Sequence, residues 1–278
     1  MLKRILLPLD PSPYTETATY IACRIAQLHN AEVTGLVILD IPGIERSIGP
    51  IPMGALHYAE KIELAKKVEA SQRIEKLLDE FKKTCEDHKV SYREAHDQGY
   101  PSNAIMQATR FYDMMIIGLR TFFDFETGDH EGTSLNKLLD KSITPVLGVP
   151  ENYQVPDFLK VLVAYDGSLP SSRALQRFGQ LRNPDAMEIT LLNSSKDEQT
   201  GMYLLEQAEQ YLLAHGMKNI RKEWISDDIL DVVENHYYDR YDSFVVGAHA
   251  KEGIFDFILG SLTKFLIDRG KKPVMIGQ

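Results

Sequence analysis

Two stretches of the sequence carry residue types at spacings suited to holding an anion. In one, the apolar run Phe244, Val245 and Val246 ends at Gly247; Ala248-His249-Ala250 follows, and after nine more residues comes Gly260-Ser261-Leu262-Thr263. An amphipathic segment then leads through Pro273 to a second apolar run, Val274 to Ile276. Strand, glycine-bearing loop, helix, strand in this order places backbone N–H groups and a helix N-terminus at the end of a parallel strand, a geometry that holds phosphates. Gly247 allows close backbone approach. The N–H groups from Gly260 to Thr263 open a helix whose positive end faces the anion, and the Ser261 and Thr263 hydroxyls can add hydrogen bonds. His249 reads either as a phosphate contact or as a solvated loop residue.

The other stretch is Asp166-Gly167-Ser168, directly after the apolar run Val161 to Tyr165. A carboxylate there sits at the carboxyl edge of a sheet, where open α/β folds bind ligands. Asp166 can accept hydrogen bonds from an adenine amino group or a ribose hydroxyl; the alternative is a turn or helix-capping carboxylate. Ser12 and Ser168 lack a histidine–acid pattern that would make either a nucleophile. His57, His88, His96 and His215 are scattered without metal-ligand spacing. Tyr237, Tyr238 and Tyr241 read as core or interface packing rather than base stacking.

The chain repeats itself. Asp10-Pro11-Ser12 and Asp166-Gly167-Ser168 lie 156 residues apart, as do Ala18 and Ala174. Gly132-Thr133 and Gly260-Ser261 lie 128 apart, as do Pro145-Val146 and Pro273-Val274. The second half is therefore read as a copy lacking about 28 residues in its middle. The first half runs from strand Ile5–Leu7 through helix 14–28, strand 33–39, a Pro/Gly-rich loop over 41–56, a long helix 60–88, strand 90–95, a helix opened by Pro101, strand 114–117, a helix at 135–139 and strand 146–149. Ile62, Leu64, Val68, Ile74, Leu77, Leu78 and Phe81 are the expected apolar face of the long helix. The order β-α-β-α-β-α-β-α-β predicts an α/β fold: a five-stranded parallel sheet with helices on both faces, built twice. The second copy has strands at 161–165, 188–192, 219–225, 244–246 and 274–276. Its helices fall at 171–181, 202–215 and 227–238, the last capped by Asp227 or Ser226. The expected domains are 1–150 and 158–278, joined by the linker 151–157. The loop present only in the first half is either a lid or interface element or a surface insertion without a role.

Composition narrows the partners. A net charge of −9 argues against nucleic acid and against an anionic membrane surface. No apolar run reaches the length of a bilayer span, and Met1-Leu2-Lys3-Arg4 leads into a strand rather than a signal peptide. Cys23 and Cys85 fall on helical patterns and read as free thiols of a reducing cytoplasm.

Asp166, Gly167, Ser168, Gly247, His249, Ala250, Gly260, Ser261, Leu262 and Thr263, together with a C-terminal run GSLTKFLIDRGKKPVMIG, resemble the universal stress protein family over nearly the whole chain, in tandem. The family pattern is Gly-x2-Gly-x9-Gly-Ser/Thr after the fourth strand and an aspartate ending the first; Ala250 replaces the middle glycine. The resemblance implies a flavodoxin-like, adenine-nucleotide-binding fold, ATP or AMP as ligand, association through the last strand, and stress regulation rather than established catalysis. It also implies a family site at the end of the second strand, matched here by polar Ser194 or Asn193. The two halves would form an intramolecular pseudo-dimer, with a homodimer as a further option. In the first half the corresponding residues are Asp10, Ile38, Gly118, Gly132, Thr133 and Ser134. There Pro11 replaces glycine, Thr121 replaces the middle glycine, and ten residues precede Gly132. Asp124, Glu126, Asp129 and Glu131 would repel a triphosphate unless a cation such as Mg²⁺ intervened. The second half is the expected working site. A weak ATPase and an interaction module that binds no nucleotide are the alternatives; no Walker loop occurs.

Overall fold

The structure is a computed structural model that describes residues 2–51, 54–120, 135, 138–139, 142–181, 186–248 and 259–277. The chain divides into two compact units, Lys3–Lys141 and Ser142–Gln278, the latter joined by Met1–Leu2. Each is an α/β layer structure built on a largely parallel sheet.

In the Lys3–Lys141 unit the described strands are β1 (Arg4–Pro8), β2 (Glu32–Leu39), β3 (Ser91–Gln98) and β4 (Met114–Gly118). They lie in the order β3-β2-β1-β4, and every pair is parallel. All of β4 and nearly all of β1 are buried, which is why both read as unbroken apolar runs: helices cover both faces. Helix α1 (Tyr14–His29) ends at Asn30, whose left-handed φ of 51° lets its N–H reach the Ala26 carbonyl. Helix α4 (Pro101–Thr109) opens on the expected proline.

Two expectations fail in this unit. The segment after β2 is not all loop: α2 spans Ile41–Ile48, with Asp40 capping it through the Gly43 N–H at 2.9 Å. Pro42 sits in the first turn, where a helix tolerates proline, so a residue taken for a breaker is a starter. Helix α3 begins earlier, at Leu56, and runs to Asp87. Its buried face is Ala59, Ala70, Ile74, Leu78, Phe81 and Cys85, whereas Leu64 and Val68 are 64% and 50% exposed. Only the C-terminal half packs tightly, because Phe81 fits over Gly35 of β2.

The Ser142–Gln278 unit orders its strands β5-β10-β9-β6-β7-β8. These are β5 (Val146–Val149), β6 (Leu159–Ala164), β7 (Met187–Ser194), β8 (Ile220–Ile225), β9 (Ser243–Gly247) and β10 (Val274–Gly277). All neighbours are parallel except β5 and β10, which pair antiparallel with Val274 opposite Gly148 and Ile276 opposite Val146. The two apolar strands expected to cover each other do so. β5 falls within this unit, which therefore holds six of the described strands. The linker is fastened to the same unit, where Tyr153 donates to the Asp242 carbonyl at 3.2 Å and burial raises its phenol pKa. The helices are α5 (Leu169–Gly179), α6 (Glu198–Ala214), α7 (Ile229–Val232) and α8 (Ser261–Arg269). The expected helix over 227–238 is broken up: after α7 come a π turn at Val233–Tyr237 and a 3-10 turn at Tyr238–Arg240, and the cap is Asp228. Tyr238 and Tyr241 are buried; Tyr238 stacks on Phe244, so the tyrosine cluster is core.

The same contacts recur in both units. Glu32 pairs with Arg93 at 3.4 Å across β2 and β3, and Glu188 with Arg221 at 3.2 Å across β7 and β8. Asp113 accepts the Arg4 N–H at the start of β1, and Asp242 accepts the Lys160 N–H at the start of β6. A methyl added at Gly35 would stand 2.8 Å from the Phe81 ring and 3.0 Å from Leu9. Gly35→Ala is therefore expected to cost about 1–3 kcal/mol by overpacking, read as a lower denaturant midpoint; an unchanged midpoint would mean that α3 is not seated on β2.

Candidate functional site

At the carboxyl ends of β6, β7 and β9 lies a cleft of about 390 Å³. Its walls include Asp166, Ser168, Ser194, Gly247, Gly260, Ser261, Leu262 and Thr263, most of the residues expected from sequence in the second half. His249 and Ala250 lie outside the described residues, as do Gly132, Thr133 and Ser134 of the first half. Ala164, Tyr165, Ser171, Asp228, Ile229 and Val246 complete the lining.

The aspartate corner is built on local bonds. Gly167 turns the chain at a left-handed φ of +76°, and a side chain there would meet Leu204 at 2.9 Å. The turn brings the Ser168 N–H to Asp166 Oδ1 at 2.9 Å, and the Ser171 hydroxyl donates to the same oxygen at 2.7 Å. Ser168 itself caps α5. One carboxylate oxygen thus orients the loop, while Asp166 stays partly exposed at the cleft wall. Ser171 was not among the sequence candidates, yet the repeat offered the signal: Thr15 stands five residues after Asp10, as Ser171 does after Asp166, and its hydroxyl donates to Asp10 Oδ1 at 2.7 Å.

The glycine loop works differently from expectation. At Gly247 the missing side chain faces helix α5, not the cleft: an added methyl would lie 2.8 Å from the Ser171 nitrogen and 3.0 Å from Pro170. Gly277 at the end of β10 likewise faces the backbone of Pro170 and Ala174. Thr263 is buried, and its hydroxyl donates to the Gly247 carbonyl at 2.7 Å, so that proton holds α8 against β9 instead of meeting an anion. Ser261 remains exposed at the first turn. No side chain among the described residues caps α8, so its first-turn N–H groups are the donors that line the cleft.

Beneath the cleft, Asn193 is buried and locks three strand ends together. It donates to the Tyr165 carbonyl at 2.8 Å and accepts from Ser195 at 2.8 Å; Trp224 in turn donates to Ser195 at 3.1 Å. Gly201 of α6 leaves room for this chain of bonds, since a methyl there would collide with Trp224, Asn193 and Ser195. Ser194 lines the cleft and donates to the Asp227 carbonyl at 2.8 Å. Apolar wall comes instead from Ala164, Ile229 and Val246. Asp166 and Asp228 are both acidic, and no described lining residue is cationic, so positive potential comes from the α8 N-terminus.

The first unit's described counterparts are all buried: Asp10 and Ile38 are 0% and 1% exposed, and Gly118 is enclosed. Pro11 cannot take the left-handed turn of Gly167, and here Ser12 reaches Asp10 through its hydroxyl at 2.7 Å. In the second unit Thr263→Val should leave the Gly247 carbonyl without this donor and cost about 1–3 kcal/mol of stability. Thermal unfolding with no change would show that this bond does not hold α8 in place.

The sequence matches the universal stress protein family over residues 1–149. No curated protein matches it. Among solved structures, a universal stress protein from Archaeoglobus fulgidus DSM 4304 superposes with a TM-score of 0.67 at 21% identity, over 98% of this chain and 97% of its own. A functionally unknown protein from Pseudomonas aeruginosa PAO1 gives 0.53 at 13% identity, over 99% and 92%. A universal stress protein in complex with cAMP has 25% identity over 44% of this chain and 98% of its own, with a TM-score of 0.37. The family match spans more than half of the chain: the chain belongs to the universal stress protein family.

Proposed function

We propose that the cleft of the Ser142–Gln278 unit binds an adenine nucleotide, ATP or AMP, and that the protein acts as a cytoplasmic, nucleotide-responsive stress regulator rather than as an enzyme. The observation that carries this reading is that the N-terminus of α8, without a side-chain cap among the described residues, and Asp166 both line one cleft of about 390 Å³. The helix supplies N–H donors to a phosphate, and Asp166 suits a ribose hydroxyl or the adenine amino group. Ile229 and Val246 give the base an apolar wall. In the tandem reading, domains 1–150 and 158–278 form a pseudo-dimer around a 151–157 linker, and only the second domain is a working site. Burial of Asp10 and the proline after it favour that asymmetry.

Charge bears on the form of the ligand. With Asp166 and Asp228 in the walls, a triphosphate is better accommodated as its Mg²⁺ complex, whereas AMP needs less compensation. The same two carboxylates are what favours the rival reading, an interaction module that binds no nucleotide.

Calorimetry with ATP and AMP, with and without Mg²⁺, tests the proposal. About one equivalent should bind to the wild-type chain. Asp166→Ala and Gly260→Asp, checked for an unchanged fold by circular dichroism, should each weaken binding at least about tenfold, the size expected for losing one good polar contact or adding a repulsive charge. Two equivalents would make the first half a working site, and no binding would favour the interaction module.

A further inference from the structure

Both cysteines of the chain lie in the Lys3–Lys141 unit, away from the cleft. Cys23 is on α1 and Cys85 in the last turn of α3; both are fully buried as free thiols, with their sulfurs 3.7 Å apart. They come together because Cys85 ends the inward-facing series Ile74, Leu78, Phe81 that seats α3, while Ala22, Cys23 and Ala26 form the buried stripe of α1. A disulfide needs sulfurs about 2.05 Å apart, so the pair must close by roughly 1.7 Å.

We infer that Cys23 and Cys85 are a peroxide-reactive dithiol that closes into a disulfide linking α1 to the end of α3. The bond between the two sulfurs holds the Cys23 pKa below the ordinary thiol value and, with burial, raises that of Cys85. In this scheme Cys23 is the attacking sulfur. Its thiolate attacks one oxygen of hydrogen peroxide, the O–O bond breaks and a sulfenic acid forms, while the departing hydroxide takes up the proton that the thiol gave up and leaves as water. The Cys85 sulfur then displaces the sulfenic oxygen, its proton leaving with that oxygen as a second water. Two thiols lose two electrons and two protons, and hydrogen peroxide is reduced to two waters.

Both sulfurs are fully buried, so a peroxide reaches them only through local opening, and the corner nearest Cys85 is the end of α3. There the His88 ring meets Tyr20 edge-on at 5.4 Å, and Gln27 donates to the His88 carbonyl at 2.6 Å. Lys89 follows with a strained φ of 54°. Tyr20 and Gln27 fasten this corner to α1, so they set how often the pair is reached.

The test uses the full chain, treated with excess hydrogen peroxide. Thiols titrated in denaturant should fall from two to zero, the mass should drop by two hydrogens, and peptide mapping should join the Cys23 and Cys85 peptides within one chain. The oxidised protein should melt at a higher temperature, and dithiothreitol should reverse this. Gln27→Ala should speed oxidation severalfold, and Cys85→Ser should leave Cys23 as a sulfenic acid that dimedone traps. Persistence of both thiols under conditions that oxidise glutathione would overturn the inference. So would bridges between chains, or sulfinic and sulfonic acids without an internal bridge.

Discussion

The first turn of α5 rests directly on the ends of β9 and β10, and this is possible only because Gly247 and Gly277 carry no side chain. The rest of the cleft depends on that contact. It lowers the Asp166–Ser168 turn to the sheet edge, where Asp166 Oδ1 gathers the Ser168 N–H and the Ser171 hydroxyl. The carbonyl of the same Gly247 receives Thr263, so one strand end fixes both α5 and α8. A side chain at Gly247 would separate the two walls by displacing backbone, which has no cheap way to relax.

The first unit shows what the same plan becomes when one constraint changes. Its sheet register, cross-strand ion pair and strand-start aspartate match those of the second. At the site, however, Pro11 forbids the turn that Gly167 makes. The aspartate sinks to full burial beneath bonds from Ser12 and Thr15. Asp40 caps an extra helix at the end of β2, where the second unit instead has the polar chain Asn193, Ser195 and Trp224. A carboxylate that is a half-buried cleft wall in one unit is a fully buried turn anchor in the other.

Much of this was legible in the chain itself. Apolar runs ending at Asp10, Asp166, Gly118 and Gly247 marked the sheet edges, because a strand covered on both faces cannot hide its pattern. The repeat singles out Asp166, Ser168 and the Gly260–Thr263 turn, which line one cleft. Three things were hidden. Pro42 looked like a loop residue because its role depends on whether Asp40 caps the next turn. The face of α3 was misread near Leu64 and Val68, since periodicity says which residues share a face but not how far the partner surface extends. Gly247 lines the cleft as its spacing suggests, but that its open side faces α5 is hidden, since spacing along a chain does not reveal the direction of a missing side chain.

The central claim is that the α8 N-terminus receives a phosphate at the second unit's cleft. Backbone amide NMR during titration with AMP tests it most directly. The account predicts the largest shifts at Ser261, Leu262 and Thr263, with smaller ones at Asp166 and Ser168. Shifts centred on Asp10, Ile38 and Gly118, or none at saturating AMP, would contradict it.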